Sequence, residues 1–242
     1  MISLEQIGFS YPGGGAIFQD FSWQVERGQA WAVLGPSGCG KTTLLYMLAG
    51  LQAPGSGRVT IEGQVLSRPR PETGLILQEY GLLPWASVLR NVMLGATLRG
   101  AKPEPERALH LLERVGLAGQ ARALPQTLSG GMRQRVALAR TLYEDRPIVL
   151  MDEPFSALDS ITRLKIQNLA AELLAGRTVL LITHDPLEAC RLGHALFVLS
   201  GAPARLGAPL HVPGPPPRAA DDATLLHTQG ALMRTLTEAA AP

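Results

Sequence analysis

Apolar and polar positions alternate along Ile2-Ser3-Leu4-Glu5-Gln6-Ile7, and the alternation returns from Ile17 to Val25 after a turn at Pro12-Gly13-Gly14-Gly15. Period two marks strands with one buried face, so these segments predict an antiparallel pair. Further along, Ala30–Leu34, Gly74–Leu77, Ile148–Met151, Val179–Ile182 and Ala195–Leu199 are short runs apolar at nearly every position. Such runs fit strands covered on both faces, as in a parallel sheet. Arg58 to Gly63 and Arg205 to Val212 read as further strands. Helical spacing appears at Leu44–Gly50, Val88–Leu94, Ala108–Val115 and Val136–Arg140, then from about Asp159 to Ala175, and in Ala223 to Ala239. From Tyr80 to about Arg146 the pattern is helical throughout, which predicts a helical subdomain inserted between strands. The expected fold is α/β, with an antiparallel subdomain near the N-terminus. Residues 1–212 form the expected domain; Pro213-Gly214-Pro215-Pro216-Pro217 reads as a stiff linker to a helical tail ending at 242.

Composition narrows this picture. With 242 residues and 46% hydrophobic content the chain can bury a full core, and 17% charge is too little for a disordered polyelectrolyte. A formal net charge of +2 and the lack of any like-charged block disfavour nucleic acid as a partner. Two distant cysteines and an N-terminus unlike a signal peptide point to a reducing compartment. Since no apolar run reaches membrane-spanning length, any role at a membrane requires another chain to cross it.

The strongest chemical signal lies between the Ala30–Leu34 run and the helix after it. Gly35-Pro36-Ser37-Gly38-Cys39-Gly40-Lys41-Thr42-Thr43 fits G-x-x-x-x-G-K-[ST] in the strand–loop–helix setting that gives the pattern meaning. Its glycines let backbone N–H groups converge on phosphate oxygens before a helix N-terminus. Lys41 supplies a cation to the terminal phosphates, and the Thr42 hydroxyl suits Mg²⁺. Cys39 reads as a small filler, with a reactive thiol as the competing possibility. Tyr11, just before the glycine turn, can stack on an adenine or simply close the hairpin.

Downstream, the Gly74–Leu77 run ends at Gln78, a fitting place for an active-site amide. Leu128-Ser129-Gly130-Gly131 opens a second helix able to receive an anion, although Ser and Gly are also ordinary cap and turn residues. Asp152 and Glu153 end a strand on opposite faces, so one can hold a metal while the other addresses water. His184 ends the next strand, as a candidate for the terminal phosphate or the attacking water. The apolar turn Leu82-Leu83-Pro84-Trp85 places Trp85 either in the core or on a docking surface.

Taken in order, Gly35 to Thr42, Gln78, Leu128 to Gly131, Ile148 to Glu153, Ser156 to Asp159 and His184 resemble the ATP-binding subunit of ABC transporters over roughly residues 1–205. The resemblance implies a P-loop NTPase core of RecA-like type, with ATP and Mg²⁺ as cofactors. It implies that Lys41 and the loop hold the β- and γ-phosphates, that Thr42, Gln78 and Asp152 surround Mg²⁺, that Glu153 polarises water and that His184 senses the γ-phosphate. Tyr11 resembles the adenine-stacking aromatic, while Ser129, Gly130 and Gly131, with Asp159 nearby, would complete the ATP site of a second copy. Met132 departs from the common Gln there and is left outside the site. The Gln78–Val92 string and Met132–Arg135 are similar to the importers of nitrate, sulfonate and taurine, a group that also carries thiamine precursors and bicarbonate. The implied partners are a second copy, integral-membrane permease subunits with a groove near Trp85, and through them an extracytoplasmic solute-binding protein, which puts the chain on the cytoplasmic face of the inner membrane. A soluble ATPase of the same type acting on nucleic acid or ribosomes would normally carry coiled-coil insertions, a tandem cassette or basic patches. A P-loop kinase or switch GTPase would not need the Ser-Gly-Gly turn or the Asp152-Glu153 pair.

Overall fold

The computed structural model describes residues 1–239. Its first two strands, β1 (Ile2–Ser10) and β2 (Ala16–Val25), pair antiparallel, with β4 (Ser56–Ile61) on the other side of β1 and β5 (Gln64–Val65) at the edge. Between them in sequence come β3 (Ala30–Leu34) and helix α1 (Lys41–Leu48), which belong to the second sheet. That sheet runs parallel through β9 (Ala195–Ser200), β3, β8 (Thr178–Ile182), β7 (Ile148–Asp152) and β6 (Thr73–Ile76). Two short antiparallel strands, β10 (Arg205–Leu206) and β11 (Leu210–His211), border β9. The single strand expected over 205–212 is thus split, because Gly207-Ala208-Pro209 between the pieces breaks the ladder.

Strand alternation builds two cores. Ala32, Leu34, Val149, Met151, Val179 and Leu181 face one way, toward the helices; Trp31, Val33, Leu150, Leu180 and Ile182 face the other, toward α1 and the antiparallel sheet. Trp31 stacks on Phe197 at 5.5 Å, and Trp23 of the antiparallel sheet meets the same ring edge-on at 5.3 Å. Contacts of this kind contribute about 1 kcal/mol each beyond the area they bury and fasten the two sheets together.

Residues 80–146 hold α2 (Val88–Val92), α3 (Leu94–Leu98), α4 (Pro105–Arg114) and α5 (Gly130–Glu144), with no strand, as the patterning predicts. Of the two readings of Trp85, the one in the core is wrong: it is 75% exposed. Asn91, wholly buried, explains this. Its side chain accepts from Leu83 N–H at 2.8 Å and donates to the Leu83, Ala86 and Ser87 carbonyls, which pins the turn by its backbone and leaves Trp85 outside.

α6 (Ser160–Leu173) and α7 (Pro186–Leu192) cover the helical face of the sheet. The tail helix α8 (Ala223–Ala239) has the range expected from its pattern and sinks Leu225 and Leu232 into the same core. Pro213–Pro217 does not behave as a spacer: Arg218 gathers the carbonyls of Val212, Pro213 and Gly214 and ties them to the body through those of Cys190 and Gly193.

Candidate active site

The loop between β3 and α1 gets its shape from glycine. At Gly35, φ is 153° and an added Cβ would lie 2.0 Å from the Leu199 carbonyl oxygen of β9, so no side chain fits where the loop leaves the sheet. α1 then begins at Gly40, which is left-handed and offers no side chain to cap the helix. Its first N–H groups are therefore open, an anion site by construction. Lys41 Nζ donates to the Gly35 and Pro36 carbonyls, both at 2.8 Å, which holds the ammonium over the loop. Cys39 is buried, and burial pushes its thiol up against the pull of Lys41, which favours the filler reading.

The ends of the parallel strands bring the other groups to this loop. Thr42 Oγ1 donates to Asp152 Oδ2 at 3.0 Å. Asp152 is 4% exposed, and burial raises its carboxyl above the ordinary range against the Thr42 hydrogen bond and the Lys41 charge. Two hard oxygens at this spacing fit Mg²⁺, which takes one or two protein oxygens and fills its remaining positions with phosphate oxygens and water. Among the described residues no group of three or more His, Cys, Asp and Glu is placed to hold a metal ion.

Glu153 points the other way, to His184 Nδ1 at 2.7 Å from its Oε2. Its φ is 51°, a left-handed geometry that costs a non-glycine residue about 1–3 kcal/mol and needs surrounding support. Support comes from three sides: its N–H donates to the Ile182 carbonyl at 2.9 Å, and its own carbonyl accepts from Gln134 Nε2 at 2.9 Å and Ser156 Oγ at 3.1 Å. Gln134, 2% exposed, also accepts from Ala157 N–H. Sequence reasoning passed over Gln134. The signal was a polar residue on the stripe of α5 that otherwise buries Leu138 and Leu142.

The remaining candidates are less closely joined. Gln78 leaves β6 two residues beyond the Ile76–Met151 pair, at the same end of the sheet, and is exposed. Tyr11 donates to or accepts from Thr43 Oγ1 at 3.3 Å, with its ring edge-on to Phe9 and 44% exposed beside the first turn of α1. Ser129 caps α5, accepting from Met132 N–H at 3.3 Å, while Gly130 and Gly131 open that helix against Ala157. A Cβ on Gly131 would lie 2.9 Å from the Ala157 carbonyl. Asp159 caps α6 through Thr162 N–H at 3.0 Å, and this bond lowers its carboxyl. Neither Ser129 nor Asp159 hydrogen-bonds the Gly35–Thr43 loop among the described residues.

A parallel sheet whose strand ends place Lys41, Thr42, Asp152 and Glu153 around an uncapped helix N-terminus defines a P-loop nucleoside triphosphatase. The model of the ABC transporter family matches residues 18–156. The chain belongs to that family, as its ATP-hydrolysing cassette. It is 45% identical over 215 residues to the aliphatic sulfonates import ATP-binding protein SsuB 2 of Burkholderia lata, covering 88% of this chain and 78% of that protein. Over 210 residues it is 45% identical to the taurine import ATP-binding protein TauB of Yersinia pestis bv. Antiqua, covering 85% and 82%. Among solved structures it superposes on the dimeric bacterial ABC transporter cassette MJ0796 with a TM-score of 0.80 at 30% identity, covering 88% of this chain and all of that one.

Proposed function

We propose that this chain is the ATP-hydrolysing subunit of an importer for a sulfonate-type solute such as taurine, working as a pair of copies beneath a separate permease at the cytoplasmic face of the membrane. The observation that carries the chemistry is the split of the adjacent carboxylates, Asp152 to Thr42 at 3.0 Å and Glu153 to His184 at 2.7 Å. In this reading Gly35 to Thr43 wraps the phosphates, and Lys41 turns from the loop carbonyls to the β- and γ-oxygens. Thr42, Asp152 and Gln78 hold Mg²⁺, which when bound offsets charge on those oxygens. Glu153 orients water and draws its proton, while His184 takes the γ-phosphate at one nitrogen and Glu153 at the other. Tyr11 stacks on the base. Ser129, Gly130 and Gly131 reach the nucleotide of the second copy, with Asp159 beside the shared boundary.

The names of the relatives support the solute class, and the structural neighbour's dimer supports the pairing. No helix among the described residues is long and apolar enough to cross a membrane, which suits a subunit that depends on a permease. The exposed Trp85 supports a docking face for it, and cysteines placed around Trp85 are expected to crosslink to the permease in the assembled complex. Glu153→Gln tests the chemistry. Hydrolysis should fall by about three orders of magnitude while Mg-ATP stays bound, and sizing chromatography should show dimers accumulating. Parental turnover would remove Glu153 from this role, and a variant that retains ATP but stays monomeric even with its permease would remove the composite site.

A further inference from the structure

A buried polar network lies outside the nucleotide site and begins in the tail. Arg218 is 7% exposed. Its Nε and Nη2 donate to Pro213, Val212 and Gly214 carbonyls at 2.7, 2.7 and 2.6 Å, and its Nη1 donates to those of Cys190 and Gly193 at 2.9 and 2.8 Å. The last two belong to the final turn of α7, where carbonyls have no partner within the helix and the dipole is negative. A guanidinium from the tail thus caps α7 from outside the helix.

The contact continues inward. Arg191 of α7, 3% exposed, donates through Nε to the Arg218 carbonyl at 3.0 Å, through Nη2 to Asn168 Oδ1 at 2.7 Å and through Nη1 to Gln167 Oε1. Gln167 Nε2 then donates to the buried Glu188 at 2.9 Å. At the other end of α7, Asp185 accepts from Leu187 and Glu188 N–H groups, pairs with Arg163 at 3.3 Å, and donates its own N–H to Thr183 Oγ1 at 3.0 Å. His184 sits between Thr183 and Asp185, one residue before that cap. A seven-residue helix spans only about 10 Å, so a shift at its C-terminal end is felt at its start.

We infer that the tail segment is a positioning element for the catalytic pair: Arg218 fixes α7, and α7 fixes the place of His184 against Glu153. The inference rests on the reading of His184 as the γ-phosphate contact. Arg218 touches no nucleotide and acts through the helix alone. Removing its side chain leaves buried carbonyls of α7 unpaired, and lysine does not restore them, since one ammonium has no planar fork to span five acceptors.

The test uses the full chain and compares Arg218→Ala, Arg218→Lys, Leu232→Ala and His184→Ala, measuring kcat, KM and the ratio of Mg-ATP to Mg-ADP affinity. Both Arg218 variants are expected to lose about tenfold in kcat and to lower the affinity ratio several-fold, with Mg-ADP affinity within about twofold of the parent. Leu232→Ala, which opens a cavity under the same tail but removes none of the hydrogen bonds to α7, should lower Tm and leave the ratio alone. Should Arg218→Ala fail to fold, Arg191→Lys severs the same path and takes the same readouts. A folded Arg218 or Arg191 variant with parental kcat and ratio overturns the positioning role while His184→Ala loses the ratio. If His184→Ala itself keeps the ratio, the γ-phosphate reading falls and the inference falls with it.

Discussion

Two helices in this chain start with phosphate-binding features, and they start differently. α1 begins at Gly40 with no side-chain cap, and Lys41, Thr42 and Asp152 of the same chain close around its open N–H groups. α5 begins at Ser129, whose hydroxyl already accepts from Met132 N–H. An uncapped helix start with its own cation and carboxylate is a whole half-site. The α5 start, by contrast, is capped by its own Ser129 and packed on Ala157. Under the proposed pairing of two copies, α5 would act on a nucleotide its own chain does not hold.

Paired variants would break or sharpen that contrast. Lys41→Ala should have the largest effect: hydrolysis falls by at least about a thousandfold, and equilibrium Mg-ATP affinity falls about ten- to a hundredfold because the loop loses its cation. Ser129→Ala should cut hydrolysis by about a hundredfold yet leave the affinity of dilute, monomeric protein within about twofold, with about 1 kcal/mol of stability lost with the cap. Equal loss of monomer affinity in both variants would show that the two helix starts serve one nucleotide in one chain, against the contrast.

A third helix start, that of α7, serves as a control, because Asp185 closes it from within. The energetics there turn on a proton. Burial pushes the neighbouring Glu188 up to about 7, against the pull of the Thr183 hydroxyl and the Gln167 amide, with the charges of Asp185 and Glu153 adding to the rise. Between the ordinary carboxylate value and that point, the unfolded chain has released a proton that the folded protein keeps. Stability therefore declines as pH rises through this window and levels off above it. Glu188→Gln should flatten the decline, leaving the parent to lose on the order of 3 kcal/mol more than the variant in denaturant titrations across the window. Identical slopes would mean that Glu188 ionises in the fold as it does in water.

Much of the site was legible because its signals are local. The G-x-x-x-x-G-K-[ST] spacing specifies a loop and helix start within nine residues, and the apolar runs ending at Asp152 and before His184 place both at one end of a parallel sheet. Alternation and turn glycines likewise located β1, β2 and the helical stretch over 80–146. Gln134, Asn91 and Arg218 were not legible, since a polar residue on an apolar face has no meaning until the packing shows which carbonyl it meets. Trp85 and Pro213–Pro217 misled for the same reason: an apolar turn and a proline run look alike whether free or fastened. What the sequence by itself determined was the order of elements and the identity of the phosphate loop, because both depend on backbone propensity and short-range spacing. Only the tertiary structure decided that Thr42 meets Asp152, that Glu153 is held left-handed against His184, and that a tail arginine caps α7. Those contacts join residues 19 to 110 positions apart, and chain closure over such distances is fixed by the packed core, not by any local pattern.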